Sequence, residues 1–428
     1  MQSKHPPITT QIPGIILTLI LGILTFLVWP GFLEMFFSLN WKVGNIGPAL
    51  YGLQLFLAVL MIIAFLKRDL LNAYFSNKFF FRKELIFTFI GFTISLLVAL
   101  GLIELGLCIL DLPYKTNWEP NEYRRAQFDP EIGWTYIPNT SMRQRFVDGQ
   151  PEIAINTDEN GLRVGSPGVR RNKSVPTVLF AGCSFTFGFG VPYEETFVGR
   201  LETNPEFNYQ VANLGVEAYG TDQALLLIKR YFSQFNPKAV VYTFLDDHVA
   251  RNHNYDRRIL FRSARFVGTK PLFSLDRSGN LNLKKKPVRY DHLNDIRILA
   301  FLEFAWKYWG PEPSPDLTMA LIKEMKDFVE SQEATFVLVY WNKFYSNKSN
   351  FPLSELKKVA PNLVDTGANP PAGWSEWNSD WKIPDNSHPS PQGHIRVANL
   401  IFEEFKRLAL VSNNKDKRPN LRANPCEG

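Results

Sequence analysis

The chain has 428 residues, 45% of them hydrophobic and 21% charged, a formal net charge of +6, and three cysteines, Cys108, Cys183 and Cys426. That length holds two or three domains, or one large domain with a membrane region. The cysteine spacing fits neither a zinc site nor a disulfide framework. No finger spacing or aromatic–basic repeat accompanies the positive charge, so nucleic acid is not an expected partner.

Leu, Ile, Phe and Val dominate residues 1–112, which read as a membrane region. Three stretches, about 12–32, 48–66 and 85–109, reach the roughly 20 helical residues that cross a bilayer, and membrane lipids are their expected partners. The loop between the second and third holds Lys67, Arg68, Lys78, Arg82 and Lys83, whereas the loop before it holds only Lys42. The positive-inside rule then puts the N-terminus in the cytoplasm and everything after about Leu112 on the far side of a plasma or inner membrane. The aromatic and basic stretch 73–83 suits the inner interface. Glu104, late in the third stretch, is expected near the outer headgroups, because a carboxylate at the bilayer centre is costly.

Residues 113–175 are rich in turn formers and read as a β-rich lead-in. "EIAIN" alternates like a short strand, and Asn160-Gly161 suits a tight hairpin turn. From 176 to 412 the rhythm changes. "TVLFAG" (177–182), "YQVANLG" (209–215), "AVVYTFL" (239–245) and "ATFVLVYW" (334–341) are apolar and β-rich. Such continuous runs suit strands buried on both faces. Helical patterns lie between and after them, at 221–235, 317–331 and 392–410, the first with Thr221 or Asp222 as its expected cap. The alternation predicts a three-layer α/β/α domain with a mostly parallel sheet. Chemistry in such folds sits at the carboxyl ends of the strands, where Ser184, Asn213 and Asp246 fall. An insertion at about 252–311 interrupts the pattern and is expected near the active-site face. Residues 413–428 read as a disordered basic tail.

Two stretches carry chemistry. In "LFAGCSFTFGFGV" (179–191) the apolar run breaks at Ser184. Taken alone, Ser184 is either a nucleophile raised on a tight turn or one polar residue in a glycine-rich bend. A serine nucleophile needs a base and an orienter for that base. "IPDNSHPSPQGH" (383–394) offers both, since Asp385 stands three residues before His388 in a proline-bounded turn. That spacing lets Asp385 reach Nδ1 while Nε2 faces outward; a surface turn that caps the next helix is the other reading. Asp246, Asp247, His248 and His253 are metal-ligand types, but their spacing matches no established cage. No metal and no cofactor is expected.

The pair of motifs resembles the SGNH/GDSL hydrolase family, in which a serine follows the first strand in a Gly-Asp-Ser motif and an Asp-x-x-His motif lies near the C-terminus. "NLGVEAYGTDQ" (213–223) looks like the family's second block and "VVYTFLDDHVARN" (240–252) like its third. "FDPEIGWTYIPN" (128–139) and "INTDENGLR" (155–163) resemble the lead-in of membrane-anchored members, so the resemblance covers roughly residues 128–410. It implies Ser184 as nucleophile, His388 as base and Asp385 as its orienter. It implies an oxyanion hole drawn from Ser184, Ala218, Gly220, Asp246 and His248. The chain departs from the pattern at three points. Cys183 replaces the motif's Asp and is itself an alternative nucleophile, Ala218 stands at the oxyanion glycine, and Asp246 stands at the oxyanion asparagine. An ionised carboxylate repels an oxyanion that an amide would stabilise, so either a protonated Asp246 or the nearby His248 would have to act as donor. The implied activity is that of a membrane-anchored esterase or O-acyltransferase, with acyl esters of cell-envelope glycans or lipids as substrates suggested by location. The alternative is an SGNH-fold binding or assembly module for envelope polysaccharide.

Overall fold

The computed structural model describes residues 18–19, 21–23, 25–26, 47–68, 83–110, 112–113, 125–169, 171–172, 174–260, 267–289, 296–309, 312–341, 351–368, 379–385 and 387–411. Most of the expected first span, nearly all of the stretch 73–83 and the tail 413–428 lie outside the described residues. The chain divides into two compact units, one of residues 1–117 with 292–314, the other of 118–291 with 315–428.

In chain order the helices α1 (Gly47–Leu66) and α2 (Lys83–Ile109) come first. Five short strands follow: β1 (Ala126–Asp129), β2 (Gly133–Tyr136), β3 (Ser141–Gln144), β4 (Ile153–Thr157) and β5 (Arg163–Val164). Next are β6 (Thr177–Gly182), the one-turn helix α3 (Ser184–Phe187), α4 (Phe197–Thr203), β7 (Gln210–Gly215), α5 (Thr221–Phe235) and β8 (Ala239–Phe244). After these lie α6 (Asp247–His253), α7 (Arg257–Leu260), the hairpin β9 (Leu272–Leu275) and β10 (Leu281–Lys285), and α8 (Arg297–Trp309). The chain then forms α9 (Asp316–Ser331), β11 (Thr335–Tyr340), α10 (Leu353–Val359), β12 (Leu363–Asp365) and α11 (Pro391–Arg407).

In the first unit, Ile90–Ile109 of α2 is long and apolar enough to cross a membrane, and Gly52–Leu66 of α1 is a shorter apolar stretch. Of the three expected spans, one therefore meets the length and hydropathy requirement among the described residues. The stretch expected as an insertion is divided. Residues 252–260 complete α6 and α7, 272–285 form the hairpin, and α8 belongs to the first unit, where it packs on α2.

The second unit is built on one eight-stranded sheet of order β12-β11-β8-β6-β7-β5-β4-β3. β12, β11, β8, β6 and β7 are parallel, because helical crossovers join them. β5, β4 and β3 are antiparallel, so the sheet is mixed and the lead-in is part of it. The β4–β5 hairpin closes over Asn160-Gly161, with Gly161 at φ 78° and Asp158 Oδ1 accepting the N–H groups of Asn160 and Leu162. Every residue of β6 and of β8 is buried, which explains their unbroken apolar runs. Helices α5 and α9 pack on one another and on the sheet, as do α4 and α11. The expected cap of α5 needs correction. Gly220 is the N-cap, and Asn252 Oδ1 accepts the Thr221 N–H at 2.8 Å. The Asp222 carboxylate divides its work: Oδ1 accepts the Gln223 N–H at 2.9 Å in the first turn, and Oδ2 faces the buried Lys270.

Candidate active site

Ser184 stands where β6 gives way to α3. A Cβ on Gly182 would come within 2.3 Å of both Thr186 Oγ1 and Thr243 Oγ1, so only glycine fits there. Cys183 is extended, and its carbonyl accepts the N–H groups of Thr186 and Phe187 at 3.0 and 2.9 Å, which closes the turn. Gly188, at φ 84°, ends the turn in the left-handed region that favours glycine. Arg163 of β5 then fixes the exit. Its guanidinium donates to the carbonyls of Phe187, Gly188 and Val191 at 2.5, 2.7 and 2.7 Å. Burial lowers its pKa to about 10, which leaves it charged at neutral pH. From β7, Asn213 Nδ2 donates to the Thr186 carbonyl at 3.0 Å.

The imidazole arrives from a turn before α11. Asp385 Oδ1 accepts the N–H groups of Ser387 and His388 at 2.9 and 3.0 Å. The same carboxylate turns Oδ2 to His388 Nδ1 at 2.5 Å, and Nε2 lies 2.9 Å from Ser184 Oγ. Burial pushes the Asp385 pKa up, but hydrogen bonding and charge from His388, with the two backbone N–H groups, bring it down to about 2. The ring of Phe189 stacks on His388 at 4.1 Å, with Phe185 at 5.5 Å. Cys183 is fully buried with its Sγ 4.0 Å from Ser184 Oγ, so the imidazole meets the hydroxyl and not the thiol.

The loop 216–220 after β7 carries Ala218 at φ 62°, a conformation that suits the glycine whose place it takes in the resemblance. Its flanking carbonyls are both held. Trp134 Nε1 donates to Glu217 O at 3.2 Å, and Arg257 Nε donates to Ala218 O at 2.9 Å. The Glu217 carboxylate pairs bidentately with buried Arg125 at 2.8 and 2.9 Å. Among the described residues, the N–H groups of Ser184 and Ala218 have no hydrogen-bond partner.

The remaining expected residues are placed differently. The Gly220 N–H is used by Gln223 Oε1 at 3.3 Å. His248 is fully buried, its Nδ1 2.8 Å from Tyr242 Oη and its ring against Phe244. Burial, with Arg251 and Arg257 nearby, holds its pKa well below the usual range. No hydrogen bond joins Gly220 or His248 to Ser184 or His388. Asp246, just beyond β8, accepts a hydrogen bond from Tyr340 Oη at 2.7 Å. Asp247 pairs with Arg251 at 3.4 Å, so the neighbouring ligand types turn to different partners.

Sequence reasoning missed the buried ionic groups around these loops. Arg163 and Glu217 stand inside stretches already notable for their resemblance, but nothing in the pattern marks a charge as buried. Arg125, Arg257 and Lys270 gave no local signal. Each is buried and answers to a carbonyl or carboxylate remote in sequence.

No protein-family model matches the chain, and no curated protein matches it in sequence. Solved structures to which it is similar include a GDSL-like lipase from Bacteroides thetaiotaomicron, at 13% identity over 56% of this chain and 92% of that one, with a TM-score of 0.32. TesA is similar at 12% identity over 54% and 99% of the two chains, TM-score 0.32. A variant of an acetyl xylan esterase from Geobacillus stearothermophilus follows at 17% identity over 54% and 94%, TM-score 0.30.

Proposed function

We propose that the chain is a membrane-anchored serine esterase or O-acyltransferase with a three-layer α/β/α domain of SGNH/GDSL type. The observation that carries this reading is the unbroken hydrogen-bond chain from Ser184 Oγ through His388 to Asp385, at 2.9 and 2.5 Å. That geometry suits proton removal from a serine hydroxyl by an imidazole held in one tautomer. Ser184 Oγ attacks an ester carbonyl and His388 takes its proton. The tetrahedral oxyanion is met by the N–H groups of Ser184 and Ala218. The peptide of each donor is already polarised, since the Cys183 and Glu217 carbonyls accept hydrogen bonds. His388 returns the proton to the leaving alcohol, leaving an acyl-enzyme. Water then gives an acid, and an acceptor hydroxyl gives a new ester. The apolar α2 and the charge pattern of the loops support an anchored protein with a cytoplasmic N-terminus and this domain outside. Acyl esters of envelope glycans or lipids are the substrates within its reach.

The test is labelling of the full chain in detergent micelles by a fluorophosphonate, wild type against Ser184→Ala. Labelling that vanishes in the variant is expected; a folded wild-type protein that does not label would sink the reading. Asp246, which stands at the oxyanion asparagine in the resemblance and accepts a hydrogen bond from Tyr340, favours a second reading, a binding module for envelope polysaccharide. Under that reading wild type stays unlabelled and Asp246→Asn restores labelling, because the charge opposing the oxyanion is gone.

A further inference from the structure

The helix α8 has its apolar residues on the wrong side for water. An amphipathic helix of a soluble domain hides its apolar stripe and shows its polar face. In α8 and the residue before it, Ile296, Leu299 and Leu302 recur every third position and are 42%, 45% and 60% exposed. Arg297 and Ala300 turn inward and are buried at 4% and 1%, and exposed Glu303, one turn after Leu299, is the charged residue of the outer face. Thirteen residues make about 20 Å of helix, short of the roughly 30 Å hydrocarbon core, so α8 cannot cross a bilayer.

Its attachment fixes its depth. The Glu104 carboxylate of α2 accepts the N–H groups of Arg297 and Ile298 at 2.6 and 2.9 Å, and so supplies the N-terminal acceptors that α8 lacks. Arg297 Nη1 donates to the Leu112 carbonyl at 3.2 Å, just past the end of α2. Glu104 stands five residues before Ile109, about 7.5 Å along the helix axis. Around it Leu102, Ile103 and Leu105 are each more than half exposed. Lipid that covers α2 to its end must also meet the helix that starts there.

We infer that α8 is an interfacial helix, with Ile296, Leu299 and Leu302 seated among the acyl chains of the outer leaflet. Its occupant is lipid rather than a protein partner, because α8 is tied at Glu104 to the stretch of α2 whose exposed Leu102, Ile103 and Leu105 need lipid cover. The inference rests on the anchored reading above. The Glu104 carboxylate is retained at that depth because it holds two backbone donors, which explains an acidic residue late in an apolar helix.

The test uses spin labels on the full chain in nanodiscs of phosphatidylcholine and phosphatidylglycerol. Cys108→Ser and Cys426→Ser remove the other labelling sites, and Cys183 is buried. Labels go to Leu302→Cys and Leu299→Cys, to Leu97→Cys in α2, and to exposed Ser278→Cys in the hairpin. The expected result is oxygen accessibility with loss of nickel-chelate accessibility at 299, 302 and 97, and the reverse at 278. Nickel accessibility at 299 and 302 with 97 still in lipid overturns this inference and leaves the anchor standing. Nickel accessibility at 97 as well removes both.

Discussion

Ser184 and His388 lie 204 residues apart, and the turn under each is closed by hydrogen bonds among its own neighbours, although Arg163 and Asn213 also brace the serine turn from β5 and β7. Gly182, Cys183 and Gly188 turn the serine, and Asp385 turns the histidine. The loop 216–220 across the site is the opposite case. Its conformation depends on Trp134, Arg125 and Arg257, which reach it from 83, 92 and 39 positions away. Local turns, with bracing from Arg163 and Asn213, set the nucleophile and its base, whereas the Ala218 donor depends wholly on buried long-range contacts. The two sides should therefore fail differently: damage to the first changes chemistry in an intact fold, and damage to the second lowers stability and rate together.

The largest effect is expected on the local side. Asp385→Asn keeps the shape of the turn but no longer selects the tautomer that leaves Nε2 free to accept. A loss of roughly 10⁴-fold in the labelling rate of Ser184 is expected, as for the equivalent change in serine proteases. The melting temperature should scarcely move. A loss of rate that is matched by unfolding would show that the turn depends on more than its neighbours.

The remote side should yield next. Arg125→Met leaves the Glu217 carboxylate buried without its bidentate partner. Breaking a buried pair from one side costs about 3–5 kcal/mol. The thermal unfolding midpoint and the labelling rate should fall together, because Ala218 loses its support. Arg125→Met with Glu217→Leu should recover most of the stability, since no lone charge is left in the core. If the single variant lost rate without stability, the pair would belong to the chemistry rather than to the support.

The same contrast explains what the sequence made legible. The strands 177–182, 210–215, 239–244 and 335–340 were readable because burial on both faces leaves an unbroken apolar run. The Asp385–His388 pair was readable because a three-residue spacing puts a carboxylate within reach of Nδ1, whereas Ser184, 204 residues away, was joined to the pair only through the family resemblance. For Gly220 and His248, a sequence does not say where an N–H or a ring nitrogen is spent. Gln223 takes the first, and Tyr242 meets His248 Nδ1 while the buried Nε2 has no hydrogen-bond partner among the described residues. The joining of the lead-in to the sheet was hidden too, since Arg163 of β5 pairs in register with Asn213 of β7 over a separation that no local pattern reveals.

The smallest effect concerns pH and links the two sides. His394 stands in the second turn of α11, six residues after His388. It is fully buried, accepts the Phe197 N–H on Nδ1 at 3.2 Å, and stacks on the Phe197 ring. Burial, with Arg163 and Arg200 nearby, lowers its pKa to about 3. The unfolded chain would take up this proton near pH 6.5. Between those values the unfolded state binds more protons, so this contribution to stability is full above about 6.5 and declines as pH falls toward 3. The slope is about 1.4 kcal/mol per pH unit for one such group. Hydrogen–deuterium exchange of residues 391–407, corrected for the intrinsic rate, should show protection falling across that window. His394→Gln keeps a neutral acceptor for the Phe197 N–H and should flatten the decline. An unchanged decline in that variant would move the acid sensitivity to another buried histidine, His248. Because α11 begins three residues after His388, loosening its first turns would also release the imidazole from Ser184, so labelling should fade in acid before the sheet gives way.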